Sequence, residues 1–340
     1  MKIKIALFLA LAIVAGLVLY GGTPIVMQPA AEEALPLQKN ILILGIDHAA
    51  SNSDVVMLVH LSQAEKQLVC MQLPRDMYIE GEREPKLNHI FASCRAKGMT
   101  EADSLSYTTK RLSDAFSIPI DGAVCIDLAA FSRMVDAVGG IPITVPMDMT
   151  YRDPEQGLSI LLKQGKTVLD GSMAQQFVRY RSGYLEGDIG RLDAQKLFLA
   201  AAFQHLAKGI SLPQAVSLSI RFLDDVTLVG SKSSYFSLAT ALLQQREALR
   251  VSFLSIPGEA LQEHEGGGAW YYVINRPATC AALNKFFTPY ATMHEGTFDA
   301  AGLFCKNDER FLNIHLSTDI PYQVYGPEDI SHIKISKKDN

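Results

Sequence analysis

The stretch most informative about the fold spans residues 40–73 and reads NILILGIDHAASNSDVVMLVHLSQAEKQLVCMQL. It contains three short apolar runs, Asn40–Ile46, Val55–Leu61 and Gln67–Leu73, which are separated by polar residues. Apolar runs of this length without alternation are typical of strands that are buried on both faces of a sheet. The stretch therefore predicts neighbouring strands in a sheet that is covered by helices.

Helical and strand patterns alternate after this stretch. Helices are predicted at 100–116, 128–138, 169–178, 188–208, 212–223 and 235–249, and further strands at 122–127, 141–145 and 251–256. Such alternation predicts an α/β domain over residues 38–290, a three-layer α-β-α sandwich with a central mixed sheet. Residues 291–340 form a C-terminal extension of uncertain structure, which could add edge strands.

The N-terminus carries a long apolar run after Lys2 and Lys4. About 20 apolar helical residues cross a hydrocarbon core about 30 Å thick, so residues 1–27 are predicted to be a transmembrane anchor. The two lysines favour a cytoplasmic N-terminus, which makes the protein a single-pass protein of the cell membrane with the rest of the chain outside. Residues 28–37 would be the tether. The alternative is a cleaved secretory signal, whose apolar region is normally shorter.

The charge and cysteine content exclude some functions. The net charge is −5, and the only basic cluster is the short tail from Lys334 to Lys338, which argues against a nucleic acid partner. The five cysteines show no C-x-x-C spacing, so neither a zinc site nor a redox motif is indicated. Cys280 and Cys305 could form a disulfide or remain buried thiols.

Two aspartates flank the first predicted turn of the sheet. Asp47 follows the first strand and Asp54 precedes the second. Carboxylates at adjacent strand ends can converge on one cation, and oxygen ligands suit Mg²⁺. The alternative is that both residues only cap a polar loop.

Basic residues occur at three further places. Arg75 and Asp76 follow the third strand, where α/β proteins place their ligands. Arg179 and Arg181 lie two apart in a segment predicted to be extended, so both guanidiniums can face one target such as a pyrophosphate. The alternatives are a surface ion pair for the first motif and a solvated basic edge for the second.

The fourth polar motif opens the helix predicted from Asp188. Asp188, Arg191 and Gln195 are spaced i, i+3 and i+7, which places them on one stripe of the helix. The helix N-terminus also favours an anion. An ordinary capped amphipathic helix would show a similar pattern.

Together these motifs resemble the LytR-CpsA-Psr family. The resemblance is carried in order by GIDHAASNSDVVMLVHLSQAEKQLVCMQLPRDMYI (45–79), PKLNHIFA (85–92), IDGAVCIDLAAFSRMVDAVGGIPITVP (120–146) and LDGSMAQQFVRYRSGYLEGDIGRLDAQ (169–195). It implies an enzyme that transfers a glycopolymer phosphate, such as teichoic acid or capsule, from an undecaprenyl-pyrophosphate carrier to a peptidoglycan hydroxyl.

The resemblance also assigns roles to residues. Asp47 and Asp54 would hold Mg²⁺, and the other phosphate-binding or polar site members would be Arg75, Asp76, Lys86, Asn88, Arg179, Arg181, Asp188, Arg191 and Gln195. The apolar helices from Leu87 to Ala96 and from Leu128 onward would line a cleft for the prenyl chain.

Two positions depart from the family pattern, since Asn52 and Ala194 stand where arginines are usual. Their loss should weaken phosphate binding or mark a subfamily with another donor. Two alternatives therefore stay open: a binding or regulatory module for lipid-linked intermediates, and a pyrophosphate hydrolase that uses the same site.

Overall fold

The computed structural model describes residues 38–47, 52–79, 84–154, 157–209, 225–230, 235, 248–262, 268–287, 324–326 and 335–337. The predicted membrane anchor and tether lie outside these residues, as do most of the helices predicted at 212–223 and 235–249. Within the described ranges, no helix is both long and apolar enough to cross a membrane.

The described elements follow the predicted alternation, with additional short strands. The strands are β1 (Gln38–Asp47), β2 (Asn52–Ser62), β3 (Gln67–Leu73), β4 (Gly122–Asp127), β5 (Ile141–Val145), β6 (Met149–Asp153), β7 (Leu158–Leu162), β8 (Gly165–Leu169), β9 (Val226–Gly230), β10 (Arg250–Ser255), β11 (Gly258–Gln262) and β12 (Trp270–Ile274). The helices are α1 (Leu87–Ala96), α2 (Glu101–Phe116), α3 (Leu128–Ala137), α4 (Gly171–Arg179), α5 (Asp188–Gly209) and α6 (Arg276–Phe286).

The central sheet is mixed and has the strand order β10-β3-β2-β1-β4-β9. β1 is antiparallel to β2 and parallel to β4, and β3 is antiparallel to β2 and parallel to β10. The carboxyl ends of β1, β3, β4 and β10 therefore lie at one end of the sheet, where β2 begins. This end carries the candidate site.

The two faces of the sheet are covered by different helices. In β1, Leu42 and Leu44 face a core that contains residues of α1, α2 and α6. Their neighbours Ile41 and Ile43 face a second core, which contains residues of α3 and α5. Because successive side chains of a strand point to opposite faces, one apolar run supplies both cores. The predicted α/β architecture, a mixed sheet with helices on both faces, is confirmed.

In the described part of the chain, three two-stranded sheets lie outside the central sheet, and one of them is the antiparallel pair β11–β12. β5 pairs with β8 and β6 pairs with β7, both antiparallel. Their inward side chains form a third core with residues of α4 and α5. The strand predicted at 141–145 is therefore present, but it belongs to this smaller unit.

Helix starts are fixed by short polar side chains. The Thr100 hydroxyl accepts a 3.1 Å hydrogen bond from the backbone N–H of Asp103 at the start of α2, as the capping-box pattern predicts. Asp127 caps α3 in the same way by accepting from the Ala130 N–H. Local capping thus places α3 directly after β4, beside the candidate site.

Candidate functional site

Three neighbouring strand ends supply the first residues of the site. Asp47 is the last residue of β1, Asp54 is the third residue of β2, and Arg75 follows β3 by two residues. The antiparallel β1–β2–β3 arrangement brings these positions to the same end of the sheet. The two aspartates and Arg75 thus lie at the same end of the sheet, where the sequence pattern predicted them.

Asp54 owes its direction to a β-bulge. Gly45 pairs with Val55 and Ile46 pairs with Ser53, so Asp54 is the extra residue between the two register positions. A bulge leaves one residue unpaired and redirects its side chain. The Asp54 carboxylate accepts a 2.7 Å hydrogen bond from Nη1 of Arg75.

Arg75 lies among three carboxylates. Besides Asp54, its Nε lies 3.4 Å from Asp188 and 3.7 Å from Asp76. Burial alone would lower the pKa of Arg75, but the charges of Asp188, Asp54 and Asp76 outweigh it and raise the pKa. Asp76 in turn pairs with Lys86 at 2.9 Å. Arg75 therefore stays charged and is held in one orientation.

Arg191 is the most deeply buried cation of the site. Only 4% of its side chain is exposed, and it lies 3.1 Å from Asp188 and 3.7 Å from Asp54. Burial lowers the pKa of Arg191, Asp188 opposes this shift, and the nearby Arg75 and Arg181 add to it. An additional anion would relieve the repulsion among these guanidiniums.

Arg179 and Arg181 behave differently, and the prediction of an extended segment is wrong for its first half. Phe177–Arg179 form the last turn of α4, and the extended conformation begins at Tyr180. Helix α4 continues to Arg179 because no proline or glycine interrupts it after its first residue. Arg179 pairs with Asp47 at 3.0 Å. Arg181 is exposed and makes no ion pair within the described residues, although its positive charge contributes to the lowered pKa of Arg191.

Gln195 and Asn88 occupy buried positions close to the charged groups. Gln195 donates to the Val178 carbonyl at 3.2 Å and accepts from Gln72 at 3.3 Å. The backbone N–H of Asn88 donates to the Arg75 carbonyl, and its buried Oδ1 has no hydrogen-bond partner among the described residues. Both residues thus hold neighbouring parts of the site in place through hydrogen bonds.

An apolar cavity of about 200 Å³ opens next to these charges. Its polar end contains Asp47, Asp54, Arg179, Arg191 and Gln195. Its apolar walls come from the sheet and from α3 and α5, and they include Ile41, Ile43, Met57, Val59, Leu68, Cys70, Val124, Ile126, Phe131, Phe198, Leu199, Phe203, Val251 and Phe253. The cavity therefore has a polar end, called the charged mouth below, and an apolar interior.

The cavity corrects one prediction about its walls. Leu128 and Phe131 of α3 line it, as predicted, but α1 does not. Leu87, Ile90 and Phe91 of α1 pack in the core on the opposite face of the sheet. Helix α5 takes the place assigned to α1, because its Phe198 and Phe203 face the cavity.

Sequence reasoning also missed Gln72. This residue is buried in β3, faces the cavity beside Gln195, and its Oε1 has no hydrogen-bond partner among the described residues. A polar side chain within the otherwise apolar run LVCMQL (68–73) is the signal that could have found it.

The donor set is compatible with Mg²⁺ if a ligand completes the coordination. Within the described ranges, no group of three or more acidic, histidine or cysteine side chains could hold a metal alone. Mg²⁺ commonly takes one or two carboxylates together with waters and substrate phosphates. Asp47 and Asp54 face the same mouth and supply such a pair.

The two positions that depart from the family pattern have different surroundings. Asn52 begins β2 and pairs in register with Asp47, at the rim of the site. Ala194 is fully buried in the core formed with the small hairpins. Position 194 therefore faces away from the cavity, whereas its neighbour Gln195 faces into it.

Solved structures share this fold. A crystal structure of Bacillus subtilis TagV superposes with a TM-score of 0.57 at 22% identity and covers 77% of this chain and 97% of that chain. The structure of TagT bound to LIIa-WTA gives a TM-score of 0.57 at 23% identity and covers 73% of this chain and 89% of that chain. At this identity, the likeness concerns the fold.

Sequence relatives carry transferase names. The polyisoprenyl-teichoic acid–peptidoglycan teichoic acid transferase TagU of Oceanobacillus iheyensis is 26% identical over 241 residues, which cover 69% of this chain and 71% of the relative. The corresponding TagV of Bacillus subtilis is 28% identical over 181 residues, which cover 51% of this chain and 45% of the relative.

A sequence model described as the LytR_cpsA_psr family matches residues 32–287. This range contains the whole central sheet, the charged mouth and the walls of the cavity. The chain therefore belongs to the LytR-CpsA-Psr family.

Proposed function

We propose that this protein transfers a glycopolymer phosphate from a polyprenyl-pyrophosphate carrier to a hydroxyl of peptidoglycan, with Mg²⁺ as cofactor. The catalytic domain would lie outside the cell membrane, held there by the N-terminal anchor. In the reaction, the acceptor oxygen forms a bond to the sugar-linked phosphorus, and the bond from that phosphorus to the bridging oxygen breaks. Polyprenyl phosphate leaves, and the hydroxyl proton passes to a base or to solvent.

The observation that carries this proposal is the continuity between the charged mouth and the apolar cavity. A polyprenyl pyrophosphate is itself a diphosphate joined to a hydrocarbon chain. The mouth offers arginines to the diphosphate, and the cavity offers aliphatic and aromatic walls to the prenyl chain. Burial of each prenyl CH₂ group contributes about 0.8 kcal/mol, so the chain adds affinity without polar contacts.

The arginines are suited to binding phosphates because each has N–H donors that its carboxylate partner does not use. Arg75 uses Nη1 for Asp54, and Arg179 uses Nη2 for Asp47. A guanidinium carries five N–H donors in a planar fork, which allows it to keep a carboxylate and also bind a phosphate. The carboxylates thus hold the arginines in place before the substrate arrives.

Phosphoryl transfer requires mainly positioning and neutralisation of charge. The diphosphate oxygens, and the charge that grows on the leaving phosphate, would be bound by the arginines of the site: Arg75, Arg179, Arg181 and Arg191. Asp47 and Asp54 would hold Mg²⁺, which acts as a Lewis acid on a phosphoryl oxygen when bound. Gln195, Asn88 and Lys86 keep the surrounding groups in position.

The relatives support this assignment at the level of the family. TagU and TagV carry the name of teichoic acid transferases that act on peptidoglycan, and TagT was solved with LIIa-WTA bound. Teichoic acid is therefore the first donor to test here, and capsular polymers are the second.

The test uses the full chain in detergent with a lipid-linked glycopolymer, peptidoglycan and Mg²⁺. Covalent attachment of the polymer to glycan is the expected result. Release of free phosphorylated polymer would instead make the protein a hydrolase, and retention of intact lipid-linked polymer without turnover would make it a binding module. Either result would overturn the transferase proposal.

A further inference from the structure

Two short stretches of the C-terminal segment, 324–326 and 335–337, pack against the domain although the family match ends at residue 287. One of them contacts the loop that joins α4 to α5. This loop, residues 180–187, carries Arg181, and α5 opens directly after it with Asp188.

Residues 335–337 bind the loop through its backbone. The N–H of Leu185 donates to the Ser336 carbonyl at 3.0 Å, and Tyr184 forms an antiparallel bridge with Lys337. Ile335 packs against the third core, which also contains Tyr180 and Tyr184. The contact therefore combines backbone hydrogen bonds with apolar burial.

Tyr184 links residues 335–337 to the backbone of Arg181. Its N–H donates to the Arg181 carbonyl at 3.2 Å, and its own carbonyl accepts from Gly187 at 3.1 Å. The Tyr184 ring is fully buried and meets the Tyr180 ring edge to face at 5.2 Å. The turn that carries Arg181 is thus fixed from inside by these rings and from outside by the C-terminal segment.

A second anchor holds the segment to the sheet. Tyr325 exchanges two backbone hydrogen bonds with Phe253 of the edge strand β10, at 2.8 and 2.9 Å. The ammonium of Lys196 lies 5.3 Å from the centre of the Tyr325 ring and pairs with Asp193 at 2.7 Å. Because Asp193 and Lys196 belong to α5, this anchor joins the segment to the helix that follows the loop.

We propose that residues 335–337 position Arg181 for binding of the diphosphate, so that the C-terminal segment is part of substrate recognition although it does not touch the substrate. Arg181 is exposed and has no ion pair among the described residues, unlike Arg75, Arg179 and Arg191. The Tyr184–Arg181 hydrogen bond fixes the backbone from which the Arg181 side chain extends. This inference rests on the proposed function.

The test is a double-mutant cycle on binding of geranyl pyrophosphate with Mg²⁺ to the full chain. Arg181→Ala should weaken binding about tenfold, as expected for the loss of one hydrogen bond to a charged group. Ending the chain at Lys334 should weaken binding by a similar factor. The two changes together should weaken it no further, because both remove the same contact.

Arg179→Ala is the matched control, since Arg179 lies in helix α4, before the loop that residues 335–337 contact, and its side chain is held by an ion pair with Asp47. Its effect should multiply with that of the truncation. If the truncated protein does not fold, Ile335→Ser in the full-length chain is used in its place, because it loosens the same contact.

The outcomes separate the two proposals. If Arg181→Ala leaves binding unchanged, the assignment of Arg181 to the diphosphate is wrong. If Arg181→Ala weakens binding but truncation and Ile335→Ser lower only the melting temperature, or act independently of Arg181, the positioning role is refuted.

Discussion

Asp54, the residue at which the β1–β2 ladder loses register, accepts a 2.7 Å hydrogen bond from Nη1 of Arg75 beyond the end of β3. Three strands and a bulge are needed to form this contact. The contact also links the cavity, which Asp54 faces, to the start of α5, where Asp188 lies 3.4 Å from Nε of Arg75.

Arg75→Ala should reduce turnover about 10²-fold or more, since one preorganised donor to a developing charge is lost. The fold should persist, because the side chain lies at the rim of the sheet rather than in its core. Arg75→Lys is the control: it keeps the charge but loses the fork, so it should recover only part of the activity. Initial rates of glycan attachment and circular dichroism measure both effects. Normal turnover of Arg75→Ala would refute the assigned site.

Asp47→Asn and Asp54→Asn should each raise the Mg²⁺ concentration that gives half-maximal activity. An amide keeps the size of the carboxylate but removes the charge that a hard cation prefers. Asp148→Asn serves as the control, since Asp148 is exposed and pairs with Lys163 outside the site. Metal titrations after treatment with a chelator would show the shift. An unchanged Mg²⁺ requirement in both variants would remove the aspartates from the metal site.

Val59→Phe should discriminate between prenyl carriers of different length. Val59 lines the cavity five residues beyond Asp54 along β2, which is about 16 Å from the mouth at strand spacing. The larger ring should weaken binding of an undecaprenyl-linked donor about tenfold, the scale of one misfit in an apolar pocket. Geranyl pyrophosphate, whose chain is too short to reach this depth, should bind as before.

Val59→Ala is the matched control, because it enlarges the cavity instead of filling it and should accept both carriers. Equal weakening of the short and the long carrier by Val59→Phe would show that the cavity does not hold the prenyl chain. Binding measured by isothermal calorimetry distinguishes these results.

His60 predicts a loss of stability in acid. It is fully buried, and its Nδ1 lies 2.7 Å from Asn40 Oδ1. Burial lowers the pKa of His60 to about 4, against a smaller opposite effect of Asp121. The unfolded chain binds a proton below about pH 6.5 whereas the folded chain does so only near pH 4, so stability falls between these values. The loss should total about 3 kcal/mol.

Urea unfolding at several pH values measures this loss. His60→Asn keeps a hydrogen-bonding group near the position of Nδ1 but does not titrate, so its stability should depend less on pH between 6.5 and 4. If the variant and the natural protein show the same slope over this range, His60 is not the group responsible.

Much of the fold follows from local patterns. Apolar runs such as Asn40–Ile46 have the length and composition of buried strands, and Thr100 and Asp127 cap the helices that follow them. These features depend on residues close together in the chain, which is why they can be inferred without a structure. The same holds for the list of charged residues at the strand ends.

The arrangement within the site depends on contacts between distant residues. Arg179 and Asp47 are separated by 132 positions, and Gln72 and Gln195 by 123. The assignment of α1 to the cavity was wrong because apolar residues in a helix show that it is packed, but not which face of the sheet it covers. Helix α1 packs in the core with Leu42 and Leu44, whereas α5 lies beside the cavity.

From the amino-acid sequence alone come β1 to β5 and β10, most of the described helices, the set of charged side chains and the resemblance to the LytR-CpsA-Psr family. The folded structure was needed to show that a bulge directs Asp54 to Arg75 and that the charged mouth opens into an apolar cavity between the sheet, α3 and α5. This is because β1 and β2 are buried on both faces. Their apolar runs do not alternate, so the sequence does not show which side chains face the cavity and which face the opposite core.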